Sequence, residues 1–240
     1  MKILGGASRS PVVIALDDEW RRSQVWIKRL KGEVWGFKVG SILFAERGPK
    51  VVETILKEGH RVFLDLKYCD IPNTVEKAVK VAFSWGVHLL TVHASGGRGM
   101  LEAAAQHQTR DQKILAVTVL TSLESRDLVE LGISRSVASQ VRSLGNLAIS
   151  SGIGGLVCSP LEVGMLRRRF PKTVLVTPGV RLAEAHDQKR TATLTGALEE
   201  GASLVVLGRA LTASKNWELT WQQLISSSDV MSSKKRLAKM

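Results

Sequence analysis

Eight short runs of apolar, largely β-branched residues recur along the chain, each followed by a longer amphipathic stretch. The runs cover 12–17, 34–40, 61–67, 88–94, 113–120, 155–159, 173–180 and 203–209, and their composition predicts strands. The segments between them read as helices, notably 19–31, 41–58, 73–85 and 135–150. Within 41–58, Ile42, Leu43, Val51, Val52, Ile55 and Leu56 return every three to four positions, as a one-sided helix requires. A run such as ILAVTVL is apolar on both faces, which suits a parallel strand covered by helices. Eight strand-then-helix units in 240 residues match an α/β fold of the (β/α)8, or TIM, barrel type. A doubly wound open sheet uses the same alternation; eight full units and no dinucleotide fingerprint favour the barrel. One barrel domain is expected over 1–225, with a basic Ser/Lys-rich tail over 226–240.

Charge and composition narrow the class further. Lys and Arg number 34 against 22 Asp and Glu, a formal net charge of +12. Such an excess suits nucleic acid, anionic lipid or an anionic small molecule. Aromatic residues make up only 5% and do not alternate with basic ones, so a base-stacking surface is not expected. The runs Arg167–Arg168–Arg169 and Lys234–Lys235–Arg236 read as solvated faces. No apolar stretch reaches the roughly 18–20 residues of a membrane span, and the N-terminal residues lack a signal-type apolar segment. Cys69 and Cys158 are too few for a disulfide framework. A cytoplasmic protein without nucleic-acid or membrane partners is the expectation.

In a barrel of this kind, chemistry sits at the C-terminal strand ends. Those ends carry Asp17, Lys38, Asp65 with Lys67 and Asp70, His93, Thr121–Ser122 and Gly208–Arg209. Charge at a buried strand end is costly unless paired or used. Alternation along a strand points Asp65 and Lys67 the same way, with Leu66 opposite. Pro72 disfavours helix at Ile71, which puts Asp70 in a turn, with Asn73 as a helix-cap candidate. Lys38, Asp65, Lys67 and Asp70 are therefore expected to interleave. Flanking carboxylates favour the ammonium form of Lys67, a proton donor rather than an amine nucleophile. A purely structural ion-pair network at the barrel mouth is the alternative. A divalent metal held by the carboxylates is disfavoured by the cation at Lys38.

A second region holds Thr177–Pro178–Gly179–Val180–Arg181, Asp187–Gln188–Lys189–Arg190 and Val206–Leu207–Gly208–Arg209. Phosphate-binding barrels hold the anion at the loops after strands 7 and 8. Glycines permit close backbone approach, and Arg181 or Arg209 can fork onto phosphate oxygens.

Taken together, ALD at 15–17, FKVG at 37–40, FLDLKYCDIPNTV at 63–75, VTVLTS at 117–122, PGVR at 178–181, DQKRTAT at 187–193 and VLGR at 206–209 resemble the orotidine 5'-phosphate decarboxylases of bacterial type. The similarity runs from about residue 11 to 221. It implies decarboxylation of orotidine 5'-phosphate to UMP, without cofactor or metal, in de novo pyrimidine synthesis. By that resemblance Lys67 protonates C6, Asp65 and Asp70 crowd the departing carboxylate, and Lys38 orders the array. The resemblance further implies a homodimer with shared active sites, in which Asp70, Ile71 and Thr74 serve the partner. Asp17 and Lys38 would bind ribose hydroxyls, and Thr121 and Ser122 would contact the pyrimidine. Arg181, Gln188, Gly208 and Arg209 would hold the phosphate, with Pro178 beside them in the substrate-binding set. Leu194 and Ala210 stand where members often carry proline, which implies altered loop stiffness.

Weaker signals read as structural. Gly96–Gly97–Arg98–Gly99 and Gly152–Ile153–Gly154–Gly155 do not form a dinucleotide motif and suit turns or packing. The five histidines lack metal spacing. His93 is either a site-lining residue or an internally satisfied one. Cys69 reads as a small packing residue.

Overall fold

A computed structural model describes residues 10–180 and 193–226. Eight parallel strands close into a barrel in sequence order. They are β1 Val12–Leu16, β2 Gly36–Gly40, β3 Arg61–Tyr68, β4 Leu89–His93, β5 Lys113–Val117, β6 Gly155–Val157, β7 Val174–Thr177 and β8 Leu204–Leu207. Every run read as a strand overlaps one of them, with β3 reaching one residue past its run, to Tyr68. Among the described residues the helices are α1 Trp20–Arg29, α2 Ser41–Arg47, α3 Lys50–Lys57, α4 Pro72–Ser84, α5 Gly97–Ala105, α6 Ser125–Glu130, α7 Val137–Ser150, α8 Val163–Arg169, α9 Leu194–Glu199, α10 Arg209–Thr212 and α11 Trp217–Ser226. None of them is long and apolar enough to cross a membrane.

Two apolar layers follow from strand alternation. The outward-facing set, including Ile14, Phe37, Leu64, Leu90, Ala116 and Leu156, packs beneath the helices. The inward-facing set fills the barrel with Val13, Ala15, Trp35, Phe63, Leu89, Leu115, Val174, Val176, Leu204 and Val206. Following the inward positions toward the strand C-termini shows where the apolar filling stops. Val13 and Ala15 lead to Asp17, Phe63 to Asp65 and Lys67, Leu89 to Thr91 and His93, and Val206 to Gly208. The polar mouth is thus the upward continuation of the core.

Several local expectations change. The single helix read over 41–58 is two, because Gly48 takes φ +57° and Pro49 caps the second. Apolar periodicity on either side continues through that break, so pattern alone does not show it. Helix α4 starts at Pro72 with Ile71 as its cap, so Asn73 does not cap it; proline at the first helical position needs no N–H partner. Arg167 is not a solvated residue. Its guanidinium donates to the carbonyls of Gly201, Phe170, Pro171 and Thr173 and to Ser203 Oγ, tying the end of α8 to the starts of β7 and β8. Gly97 opens α5 and Gly152 sits in a turn, both at positive φ, and Gly155 packs within β6, as the structural reading of those glycines expects. Cys69 is exposed rather than packed, whereas Cys158 is buried. Ser226 closes α11; the rest of the expected tail lies outside the described residues.

Candidate active site

The C-terminal mouth opens into a cavity of about 940 Å³. One side is charged and is built by the first three strands. Lys38 Nζ donates to Asp17 Oδ1 at 2.8 Å and lies 3.4 Å from Asp65 Oδ2. Lys67 Nζ lies 2.9 Å from the same Asp65 oxygen. The result is a row of alternating sign, Asp17–Lys38–Asp65–Lys67. Its centre is dry and its ends are not: Lys38 and Asp65 side chains are each 11% exposed, against 48% for Asp17 and 34% for Lys67. The other Asp65 oxygen, Oδ1, accepts from the Thr91 hydroxyl at 3.0 Å. Gly40 keeps room for this row, since a Cβ there would stand 3.2 Å from Lys38 Nζ and 3.3 Å from Asp17 Oδ1.

The expected interleaving therefore holds for Lys38, Asp65 and Lys67, but the second carboxylate is Asp17. Asp70 lies beyond the end of β3, exposed, with its carboxylate accepting from the Ile71 N–H at 2.6 Å. It does not join the row within one chain, because β3 ends at Tyr68 and the backbone turns away toward α4. Ile71, 65% exposed, and Thr74 stand beside it, away from this chain's cavity.

The opposite wall is mostly apolar. It is formed by Val117 at the end of β5 with Val119 and Leu120 beyond it, Val157 at the end of β6 with Cys158 just after, and Val180 after β7. Thr121, Pro178, Gly208 and the exposed Arg209 also line the cavity. Ser122 does not; it is exposed beyond the rim. Gly179 takes φ +76°, the left-handed backbone its turn requires. Arg181 and Gln188 lie outside the described residues. Leu194, at one of the two departures from proline, is buried at the start of α9, where Thr193 caps the helix by accepting from Gly196 N–H.

Two titratable neighbours are quiet. Burial, and then the Lys67 ammonium, hold His93 below the usual imidazole range, with Asp65 opposing. His93 is half-buried and lies off the cavity wall. Burial, reinforced by Glu162, pushes the Cys158 thiol up to about 12, so it offers no thiolate. The polar residue that sequence reading overlooked is Thr91. Its only signal is a lone hydroxyl midway along the apolar strand LLTVH.

A fixed row of charges facing an apolar wall, at the C-terminal end of a parallel eight-stranded barrel, marks the chain as a (β/α)8-barrel enzyme. Comparison narrows the class. Residues 10–224 match the Orotidine 5'-phosphate decarboxylase / HUMPS family, and the chain belongs to it. It is 44% identical over 216 residues to the orotidine 5'-phosphate decarboxylase of a Marinomonas species, covering 87% of this chain and 92% of that one. To the enzyme of the same name from Neisseria meningitidis serogroup C it is 42% identical over 217 residues, covering 87% and 88%. The crystal structure of orotidine 5'-phosphate decarboxylase from Lactobacillus acidophilus superposes with a TM-score of 0.77 at 32% identity, covering 94% of this chain and 99% of that one.

Proposed function

We infer that this chain decarboxylates orotidine 5'-phosphate to UMP in de novo pyrimidine synthesis. The observation that carries the reading is the row Asp17–Lys38–Asp65–Lys67, with one ammonium at the cavity edge and a buried carboxylate beside it. In the reaction the bond between C6 and the carboxylate carbon breaks, and its electron pair stays on C6. The pyrimidine ring offers that pair little delocalisation. A preorganised cation must therefore stabilise the charge as it develops. The Lys67 ammonium is placed to do so and then to give C6 its proton. Asp65, next to Lys67, disfavours the substrate carboxylate more than the transition state, in which that charge is leaving as neutral CO2.

The remaining assignments rest on the same reading. Asp17 and Lys38 hold ribose hydroxyls, and the apolar wall with Thr121 covers the base. Gly208 and Arg209 grip the phosphate, whose binding energy, remote from C6, organises the reacting end. The Lys38 ammonium stands between Asp17 and Asp65, where a divalent ion bridging these carboxylates would have to sit, which favours cofactor-free chemistry. The working unit is a homodimer with shared sites. Exposed Asp70, Ile71 and Thr74, turned away from their own cavity, supply the partner's site, and the large exposed Ile71 side chain supports that role. Unpaired Cys69 and Cys158 suit the reducing cytoplasm.

The test is the ultraviolet absorbance loss of orotidine 5'-phosphate with purified protein in EDTA, with Lys67→Ala as control. Loss with wild type alone is expected, together with measurable UMP binding by the variant. No loss from folded wild-type protein, or equal loss from the variant, overturns the reading.

A further inference from the structure

We propose that Thr91 is a positioning residue: its single hydroxyl fixes both the Asp65 carboxylate and the Lys67 backbone, so it sets the disposition of the reacting pair without touching substrate. The inference rests on the function proposed above for this cavity.

Three observations converge on it. The β3–β4 register breaks where the chemistry lies: Leu64 pairs with Leu90 and Tyr68 with Val92, so four steps along β3 oppose two along β4. Within that bulge Lys67 takes φ +50°, alone among the described non-glycine residues. A lysine in the left-handed region persists only where its surroundings hold it there. The ladder has lost its regular partners at this point, and the Lys67 N–H instead donates to Thr91 Oγ1 at 2.9 Å.

The hydroxyl has one proton. Because its oxygen accepts from Lys67 N–H, that proton goes to Asp65 Oδ1, 3.0 Å away. The carboxylate plane is thereby set, and Oδ2 is turned to the two ammonium groups. Thr91 is fully buried and does not line the cavity. An isosteric apolar residue would pack in its place, so packing alone does not call for a hydroxyl.

The experiment compares Thr91→Val, Thr91→Ser and Thr91→Cys, with rates expressed per UMP-binding site. Serine and cysteine both lack the methyl and differ by one atom, so any folding defect from the lost methyl strikes both. Serine keeps a strong donor and acceptor and should retain kcat within about threefold of wild type. Valine and cysteine should lose about ten- to hundredfold in kcat, as for a hydrogen bond to a charged group, with KM changed less than about threefold. Equal rates for serine and cysteine, whether both normal or both impaired, overturn the proposal. Failure of the wild type to turn over orotidine 5'-phosphate is instead a failure of the functional reading. The crystal structure of Thr91→Val, or of Thr91→Cys if valine does not fold, then decides the positioning directly. Separation of Lys67 Nζ from Asp65 supports it, and retention of the 2.9 Å contact overturns it.

Discussion

Replacing Asp65 by asparagine isolates what its charge does. The amide keeps the shape, and its oxygen can still accept from Thr91. The change falls on the two lysines. Both ammonium nitrogens contact Oδ2, at 2.9 Å for Lys67 and 3.4 Å for Lys38, so they stand within about 6 Å of each other. At an effective dielectric constant of about 20, two unit cations at that separation repel by roughly 3 kcal/mol, a repulsion that the Asp65 carboxylate offsets and its amide does not. Lys38 cannot retreat, since its side chain is 11% exposed and bound to Asp17. Lys67, 34% exposed, can swing into solvent and relieve most of the repulsion. The expected net destabilisation is therefore about 1–2 kcal/mol by urea denaturation, shrinking at high salt as the partly exposed charge is screened. Because the relief moves the proposed proton donor, kcat should fall by about 10²–10³, the range for losing one preorganised electrostatic group. An Asp65→Asn enzyme with kcat within threefold of wild type, or with stability unchanged at low salt, would refute the reasoning.

Arg209→Ala should weaken UMP binding by about ten- to hundredfold in titration calorimetry, as expected for one charge-assisted phosphate contact; unchanged affinity would place the anion elsewhere. Equimolar Lys67→Ala and Asp70→Ala proteins, each inactive alone, should recover about a quarter of wild-type activity after subunit exchange, because half the dimers then carry one intact composite site. No recovery, with exchange demonstrated by tagged subunits, would exclude site sharing. Burial, reinforced by the Arg61 charge, holds His88 down to about 4 against an ordinary 6.5. The folded chain therefore binds fewer protons than the unfolded chain between these values. The stability is complete above the unfolded value and is lost as pH falls toward the folded one, by at most about 3 kcal/mol. In Tm measurements from pH 7 to 4.5, His88→Gln should show a shallower decline than wild type; parallel curves would exclude His88 as a contributor.

Much of this architecture is written in plain sight. Both-faces-buried strands leave near-continuous apolar runs, so all eight could be read, and charge ending such runs marked Asp17, Lys38, Asp65 and Lys67. What stayed hidden depends on geometry that a one-dimensional pattern does not carry. Asp70 lies five residues from Asp65 and looks like its companion, yet the strand ends between them, and Asp17 reaches the row through the pairing of β1 with β2. Arg167 resembles its solvated neighbours until the carbonyls around it are placed. Thr91 acquires partners only through a register slip in the neighbouring strand. Ser122 shares its motif with Thr121 but does not line the cavity.

The barrel is also unevenly built. Strands β1 to β5 have five residues or more, and β3 has eight, whereas β6 has three and β7 and β8 four each. The reacting charges and Thr91 stand on the long-stranded half, while the turns proposed to grip phosphate follow the short strands. The molecule thus separates an anvil from a hand. The groups proposed to break the bond are set in the part of the ladder with the longest strands, and those proposed to hold the anion follow the shortest. On that reading, substitutions that alter the proposed grip fall on loops remote from β2, β3 and β4, and leave the row of charges and its Thr91 support untouched.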